Sequence, residues 1–461
     1  MLSLLGAMTW RRVSLVVVDH ILIIVGILAA IWLRFALPTD AQTWDSYLWK
    51  ASLTALVLQV ALYYCDLYDL RTLHDARGLV IGLVRGMGAA SVLLALVYYW
   101  VPQFTIGRGV FLISAAIVIA LIALWRIVFE WVSVKVGPAE RILIVGTSGA
   151  AAELERELLA RRHELGVEIT GFVDKQSSED AEPRLDTIGA IDDIPVLVKK
   201  HGVHRVVVNL ADARGSLPMQ KLLEMKLKDG IRFDYLASVY EEYTGKIAVE
   251  HLRPSWLVFS GGFRKTQTLL AAKRALDVIT ASIGLFLSWP LMLLVALGIK
   301  LTSPGPILHH QRRVGLNNRI VNVHKFRSMR PDAEAVTGAV WSQVNDPRVT
   351  PIGRFLRRTR LDELPQLWNV LLGEMSFVGP RPERPEFVEG LTESIPFYGQ
   401  RHVIRPGLTG WAQVRHSYGA SVADSLQKLQ YDLFYIKNMS IAFDLFIILE
   451  TVRTVILRKG S

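Results

Sequence analysis

RRTRLDELPQLWNVLLGEMSFVGPRPER, residues Arg357 to Arg384, sets two adjacent carboxylates, Asp362 and Glu363, among arginines. They stand just before Pro365 and an apolar run from Leu367 to Leu372. Proline fits the first helical turn, where its missing N–H leaves nothing unsatisfied. The spacing therefore predicts a helix that begins at or just before Pro365 and ends at Gly373. The acidic pair then lies at a helix N-terminus, where free N–H groups and the positive dipole end favour anions. Arg357, Arg358, Arg360 and, beyond the helix, Arg381 add cations expected to lower the carboxylate pKa further. An ionised Asp362 beside phosphate-binding arginines can attack phosphorus, and Glu363 can hold a Mg²⁺ that screens the two anions from each other. The plainer alternative is that one carboxylate only caps the helix, with Gln366 and Glu363 sharing a capping box.

The surroundings favour the chemical reading. KRALD at Lys273 to Asp277 is followed by SPGPILHHQRRVG at Ser303 to Gly315 and HKFRSM at His324 to Met329. DPRVTPIGRFLRRTRLDELPQLWNVLLGEMSFVGPRPE then runs from Asp346 to Glu383, RPGLTGWAQV from Arg405 to Val414, and YDLFYIKNMSIAFDL from Tyr431 to Leu445. With these segments in order, the chain from Lys273 onward resembles the bacterial sugar transferases that move a phosphosugar onto a polyprenyl phosphate, the monotopic phosphoglycosyl transferases. The resemblance implies a UDP-sugar donor, an undecaprenyl phosphate acceptor and Mg²⁺ as cofactor. It implies a two-step route in which Asp362 attacks the β-phosphorus, UMP leaves, and the lipid phosphate takes the phosphosugar from Asp362. Glu363 then holds Mg²⁺, while Arg357 and Arg381 hold phosphates. It also brings into the site the Asp of the final NxSxxxDL segment, Asp444 here. Larger members of the family carry four membrane helices and a Rossmann-like domain at the N-terminus, so the likeness extends more weakly over the whole chain.

Composition agrees. Of 461 residues, 51% are hydrophobic, mean hydropathy is positive and the formal net charge is +10. That balance suits a membrane protein facing anionic headgroups and phosphorylated substrates. No helix-turn-helix, zinc-finger or RNP-type pattern supports a nucleic-acid partner. One cysteine, Cys65, excludes an internal disulfide and a Cys-based metal cluster.

In chain order, apolar stretches run roughly from Val13 to Leu33, Tyr47 to Cys65, Leu79 to Trp100 and Gly109 to Trp131. Each is long enough to cross a hydrocarbon layer of about 30 Å as a helix. Arg11, Arg12, Arg71, Arg77, Arg126 and Lys135 flank one side of these stretches, whereas Arg34 with Asp40 and Asp45, and Arg108, flank the other. The positive-inside rule thus puts the N-terminus and everything after about residue 135 in the cytoplasm. Asp19, His20, Lys50 and Arg85 interrupt the apolar runs, and for Asp19 and His20 interfacial pairing or snorkelling is expected.

From Arg141, a buried strand, a glycine turn, an amphipathic helix and a second strand open a Rossmann-like unit. Its Gly146-Thr-Ser-Gly149 turn is not the three-glycine dinucleotide fingerprint, with Asp174 alone placed to hold a ribose. Asp192 and Asp193 read as helix-entry residues, and a homodimer through this domain is compatible with the pattern. After the SGGFRKT linker at Ser260 to Thr266, an apolar run reaches Leu301, broken at Ser288-Trp289-Pro290. A full crossing would separate the Asp-Glu pair from cytosolic nucleotide sugars. A re-entrant helix at about 272–301 avoids this, with Pro290 breaking it, Ser288 satisfying a freed carbonyl, and Lys273, Arg274 and Lys300 at the lipid headgroups. The family has Ser directly before this Pro; here Trp289 intervenes. Arg312, Arg313, Arg319, Lys325, Arg327 and Arg330 gather between Gln311 and Arg330, where Lys325 and Arg381 are the best phosphate donors. Gly379-Pro-Arg-Pro382 is stiff enough to hold Arg381 in place. Residues 445–459 form an amphipathic stretch suited to the membrane surface.

The expected architecture is membrane α plus α/β. It has four transmembrane helices (1–135), a Rossmann-like domain (136–265) and an α/β catalytic domain anchored by a re-entrant helix (266–461). The expected protein is a multi-pass enzyme of the bacterial inner membrane, in contact with membrane lipids, whose cytoplasmic domain starts a glycan repeat. One rival is a membrane-anchored nucleotide-sugar dehydratase or epimerase, which would need a dinucleotide fingerprint and a Tyr-x-x-x-Lys pair that the chain lacks. Another is a membrane scaffold, which would not need the acidic dyad, the basic KFRSM segment and the PRP turn together.

Overall fold

The computed structural model describes residues 10–35, 41–65, 67–68, 76–105, 107–135, 140–160, 165–174, 187–209, 217–251, 260–333, 346–416, 419 and 421–456. Asp40, Arg71, residues 175–186, and the side chains of Arg11, Arg12, Arg77, Arg108 and Lys135 lie outside that description. The chain divides into two compact units, Met1–Tyr243 and Thr244–Ser461.

The first unit opens with long helices α1 (Trp10–Phe35), α2 (Ala41–Tyr64), α3 (Ala76–Trp100) and α4 (Arg108–Lys135). They bury Leu15, Ile23, Leu62, Leu83 and Ile122 yet leave Ile21, Trp32, Leu96, Leu112 and Leu124 exposed. A helix apolar on both faces belongs in lipid. Val13–Arg34, Ile81–Trp100 and Gly109–Phe129 are long and apolar enough to cross a membrane. Helix α2 has the length but is more polar, carrying Lys50 and Gln59. A Cβ on Gly26 would come within 2.7 Å of Val118, and one on Gly86 within 2.7 Å of Leu62, so glycine permits close helix packing there. Arg126, counted above among the flanking cations, is instead buried and pairs with Asp19 at 2.6 Å. His20 meets Gln59 at 2.7 Å. Both Asp19 and His20 therefore pair with residues of neighbouring helices, and Asp19 does not snorkel, because a buried charge in lipid needs a partner.

Next come β1 (Glu140–Val145), α5 (Gly149–Ala160), β2 (Val167–Asp174), β3 (Thr187–Ala190), α6 (Ile194–His201), β4 (Arg205–Val208), α7 (Met219–Lys228) and β5 (Arg232–Tyr235). The strands form one parallel sheet in the order β3-β2-β1-β4-β5, with Ile142 to Val145 and Val206 to Val207 fully buried. This is the doubly wound order expected of the Rossmann-like reading. Gly146, at φ 101°, makes the turn after β1. There Thr147 donates to Asp174, and Asn209 Nδ2 donates to Ser148 Oγ at 2.7 Å. Asp193 accepts from Ala190 N at 3.2 Å at the entry to α6, as read from the sequence.

The second unit is built on α9 (Gln267–Thr302), which follows α8 (Leu236–Thr244); Thr266 caps α9 by accepting from Leu269 N. At 36 residues, α9 is about 54 Å long at 1.5 Å per residue. Helix α9 is followed by the antiparallel hairpin β6 (Leu308–Val314) and β7 (Ile320–Phe326), then α10 (Pro351–Thr359) and α11 (Gln366–Leu372). Strand β8 (Ser376–Val378) pairs in parallel with β9 (Gly407–Thr409). Between them lies α12 (Pro385–Ser394), and after them α13 (Trp411–Arg415), α14 (Val422–Asn438) and α15 (Ile441–Ile456). The RPGLTGW segment supplies the strand β9.

Both ends of α9 rest on this same unit. Ala281 packs with Val323, Leu367, Val370 and Met375, whereas Val295 and Ile299 pack with Phe326 and Leu356; Leu364 borders both groups. Between these limbs Phe286, Leu287, Trp289, Leu293 and Leu294 are exposed. The helix continues through Pro290, so the expected break is a proline inside a helix rather than an interruption. Ser288 does not reach a carbonyl: its hydroxyl lies 3.5 Å from Met292 Sδ, one turn on along the same helix face.

Candidate active site

Helix α11 runs from Gln366 to Leu372, with Pro365 at its N-cap and Gly373 (φ 84°) at its C-cap, as the proline and glycine demand. Arg360, in a left-handed conformation (φ 59°), ends α10 and turns the chain into a 3₁₀ turn, Leu361–Glu363. Neither carboxylate caps α11. Leu361 and Leu364 anchor the turn in the core on either side of the dyad.

Glu363 Oε1 accepts from Lys325 Nζ at 2.9 Å and from Arg381 Nη2 at 2.6 Å. Asp362 is 8% exposed and makes no hydrogen bond or ion pair with any described residue. Arg357, fixed by donating from Nε to Ser328 Oγ at 2.9 Å, adds a positive field at Asp362. The sequence expectation that both carboxylates are depressed fails for Asp362. Burial, and then the charge of Glu363, push it above the ordinary aspartate value against the pull of Lys325, Arg357 and Arg381. Burial opposes ionisation of Glu363 too, but the charges of Arg381 and Lys325 and the bond from Arg381 hold it well below the ordinary glutamate range. The dyad therefore pairs a carboxylate whose charge is balanced by two cations with one that has no bonding partner among the described residues.

The carriers of these groups are braced. Lys325 lies on β7 opposite His309. Asn369, fully buried on α11, accepts from His324 N at 3.0 Å and donates to Asn322 O at 2.8 Å, joining the dyad's helix to the lysine's strand. A polar residue inside the apolar run LWNVLL was the available signal for this staple. Arg274 donates to Val370 O and Leu371 O, each at 2.6 Å, and Arg405 to Gly373 O at 2.9 Å, closing the C-terminal end of α11.

Arg381 follows β8, and its loop is pinned by Gly379 N to Thr409 O and Gly407 N to Pro380 O, both 2.8 Å. A Cβ on Gly379 would come within 2.6 Å of Arg405 O, so glycine is required for β8 and β9 to approach. Beneath the loop, Arg401 donates to Arg381 O at 2.9 Å and pairs with Asp432 at 2.8 Å. Burial lifts Asp432 to about 6 even against Arg401. The sequence reading missed Arg401, in QRHVI, and Asp432, in YDLFY.

Three basic residues stand elsewhere than expected. Lys273 is buried rather than at the headgroups, donating to Asp444 Oδ2 at 2.7 Å and Val378 O at 2.9 Å. Arg274 faces the helix end already described, because unpaired carbonyls draw a guanidinium more strongly than a solvated surface does. Arg327 is 5% exposed and ties the turn after α9, donating to Pro304 O and Ser303 O at 2.7 and 2.8 Å. Asp444 is fully buried and saturated by Lys273 and by Tyr435, whose hydroxyl donates at 2.6 Å. The structure thus brings together Asp362, Glu363, Lys325, Arg357 and Arg381, and puts Asp444 in a separate ionic knot under β8.

The donor chemistry of the dyad fits Mg²⁺. Among the described residues no third His, Cys, Asp or Glu joins the pair into a protein-only cage. Magnesium does not need one, since it commonly takes one or two carboxylates and completes its shell with water and substrate phosphate oxygens.

Residues 268–458 match the family model of the bacterial sugar transferases, and residues 64–224 match that of a CoA-binding domain. An exopolysaccharide production protein PSS of Rhizobium leguminosarum bv. phaseoli is 47% identical over 188 residues, 40% of this chain and 94% of that protein. The chain belongs to the bacterial sugar transferase family. Other members that it resembles include the UDP-N-acetylgalactosamine-undecaprenyl-phosphate N-acetylgalactosaminephosphotransferase of Aeromonas hydrophila, 42% identical over 49% of this chain. The undecaprenyl-phosphate glucose phosphotransferase of Komagataeibacter xylinus is 35% identical over 70% of this chain. The matches span 53% and 60% of the lengths of these two relatives. Asp362 and Glu363 lie inside the matched region, with all the cations that surround them.

Proposed function

We propose that this protein transfers a hexose 1-phosphate from a UDP-sugar to undecaprenyl phosphate, releasing UMP and starting an exopolysaccharide, capsule or O-antigen repeat unit. The observation that carries this reading is Asp362: a nearly buried carboxylate without a bonding partner among the described residues, beside a Glu363 held by two cations. A carboxylate serving structure alone would be paired, because burying an unpaired charge is costly. An unpaired one is available as a nucleophile. Its oxygen forms a bond to the β-phosphorus as the bond to the bridging oxygen breaks, and UMP departs with that electron pair. An oxygen of the lipid phosphate then attacks the same phosphorus and Asp362 leaves, giving the diphosphate-linked lipid sugar. Lys325, Arg357 and Arg381 balance the charge of the transferred phosphoryl group. Glu363 and the donor diphosphate would hold Mg²⁺, which would screen nucleophile from phosphate.

The same reading puts the second unit at the cytoplasmic face of the inner membrane, with α9 as a re-entrant anchor. A straight crossing would carry the C-terminal end of α9 to the far side, whereas Ala281 and Ile299 both pack on this unit. Its exposed middle favours lipid, at about 1.5–3 kcal/mol for each large apolar side chain removed from water. Thiol labelling of a cysteine introduced just after residue 301 checks this; reaction with a membrane-impermeant reagent from the periplasmic side would sink the re-entrant anchor.

The activity is tested by UMP release from purified protein with undecaprenyl phosphate and Mg²⁺ across a panel of UDP-sugars. UMP from one donor, lost in Asp362→Asn, is the expected result. Silence across the panel, or a phosphosugar adduct on another residue, would overturn it.

A further inference from the structure

Resting on the transfer reaction proposed above, we infer that Arg401 is a positioning residue. It holds the main-chain carbonyl of Arg381 from a buried socket formed by Asp432 and Tyr398, and so aims the Arg381 fork at Glu363. The sequence of the loop makes such a strut necessary. Pro380 and Pro382 have no N–H, so the segment must be held largely by its carbonyls. Pro380 O accepts from Gly407 N at 2.8 Å, Pro382 O from Arg313 Nη1 at 3.0 Å, and Arg381 O, between them, from Arg401 Nη2 at 2.9 Å.

The socket is built for a planar fork. Arg401 is 4% exposed, Asp432 and Tyr398 each 1%. Nη2 lies 2.8 Å from Asp432 Oδ2 on α14, and Nη1 donates to the Tyr398 hydroxyl at 2.6 Å. One guanidinium thereby ties the Arg381 loop and α14 to its own 3₁₀ turn, Tyr398–Val403, which a lysine's point charge cannot match. Stability alone is a weak reason for this arrangement, since buried ion pairs are often replaceable by apolar groups without loss. Geometry is a stronger one, because a displacement of about 1 Å in a charge-handling group can cost up to about a hundredfold in rate.

The test uses the full chain, purified with its membrane segments. Tyr398→Phe keeps the ion pair and removes one acceptor, and Arg401→Lys keeps the charge and removes the fork. Hydrogen–deuterium exchange of a peptide covering residues 379–384 should quicken in both, without activity entering the measurement. In turnover, Tyr398→Phe should lower kcat by about threefold to tenfold, the size of one lost hydrogen bond, with donor KM nearly unchanged. Placed on an Arg381→Lys background it should cost no more, because its effect passes through Arg381. Unchanged exchange, or an equal loss on both backgrounds, would overturn the strut. A wild-type protein that releases no UMP overturns the transfer reaction instead, and exchange alone then decides the strut.

Discussion

Two carboxylate clusters meet at β8, and they use the same side-chain chemistry to opposite ends. In the knot below the strand, Asp444 is bonded by Lys273 and Tyr435, both of which also reach Val378 O. A neighbouring carboxylate, Asp277, accepts from Ser376 Oγ and Phe377 N, each at 2.9 Å. In the cluster reached three residues later by Arg381, the cations fall on Glu363, and Asp362 is left unbonded among the described residues. Saturation makes the first cluster a fastener for the strand, and asymmetry leaves the second open to the chemistry proposed for it. If that contrast is right, removing charge from the two clusters must have different consequences.

The largest expected effect is on chemistry. Asp362→Asn should lower UMP release by about a thousandfold or more, as the loss of a covalent nucleophile does. Comparable turnover in the variant would erase the distinction between the clusters. Glu363→Gln should cost about a hundredfold, because Lys325 and Arg381 lose the charge they orient around and the anionic ligand proposed for Mg²⁺ is gone. A Mg²⁺ titration of both proteins by calorimetry checks the metal arm, with weaker binding expected in the variant. Unaltered Mg²⁺ affinity would remove Glu363 from that role.

Much of this contrast was legible before any coordinates. The dyad, its helix and the stiff PRP turn follow from local chemistry: proline at a helix start, glycine at its end, two prolines around an arginine. The membrane helices and the parallel sheet follow from runs of apolar residues of the right length. What sequence could not separate was one buried basic residue from another on the surface. Lys273, Arg274, Arg327 and Arg401 look like Lys325 and Arg381 in the chain, and only long-range packing decides that they meet carbonyls and Asp444 or Asp432 instead. The direction of the Asp362 shift was missed for the same reason. Its arginines were visible, but the burial that outweighs them is a tertiary property.

In the knot the prediction concerns stability. Asp444→Asn should destabilise the protein by about 3–5 kcal/mol, because it strands Lys273 as a buried charge without its counter-ion. The measurement is thermal unfolding in a fixed detergent, with turnover per folded molecule as the control. A variant as stable as wild type would mean the knot is not a fastener.

The smallest effect sharpens the comparison most, since it asks what each carboxylate costs the fold. Asp362 has a folded-state pKa raised above its unfolded value, chiefly by burial. A raised carboxylate favours folding most at low pH, where it is protonated in both states, and that advantage is lost as pH rises through the folded pKa. Above the folded pKa, ionised Asp362 therefore works against the fold. Asp362→Asn, which cannot ionise, should be inactive yet more stable, by roughly 2–4 °C in melting temperature for each kcal/mol relieved. The gain should shrink as pH falls into the range where wild-type Asp362 takes up its proton. A destabilised Asp362→Asn at neutral pH would show that Asp362 is held by bonds as Asp444 is, and the two clusters would then differ in location only.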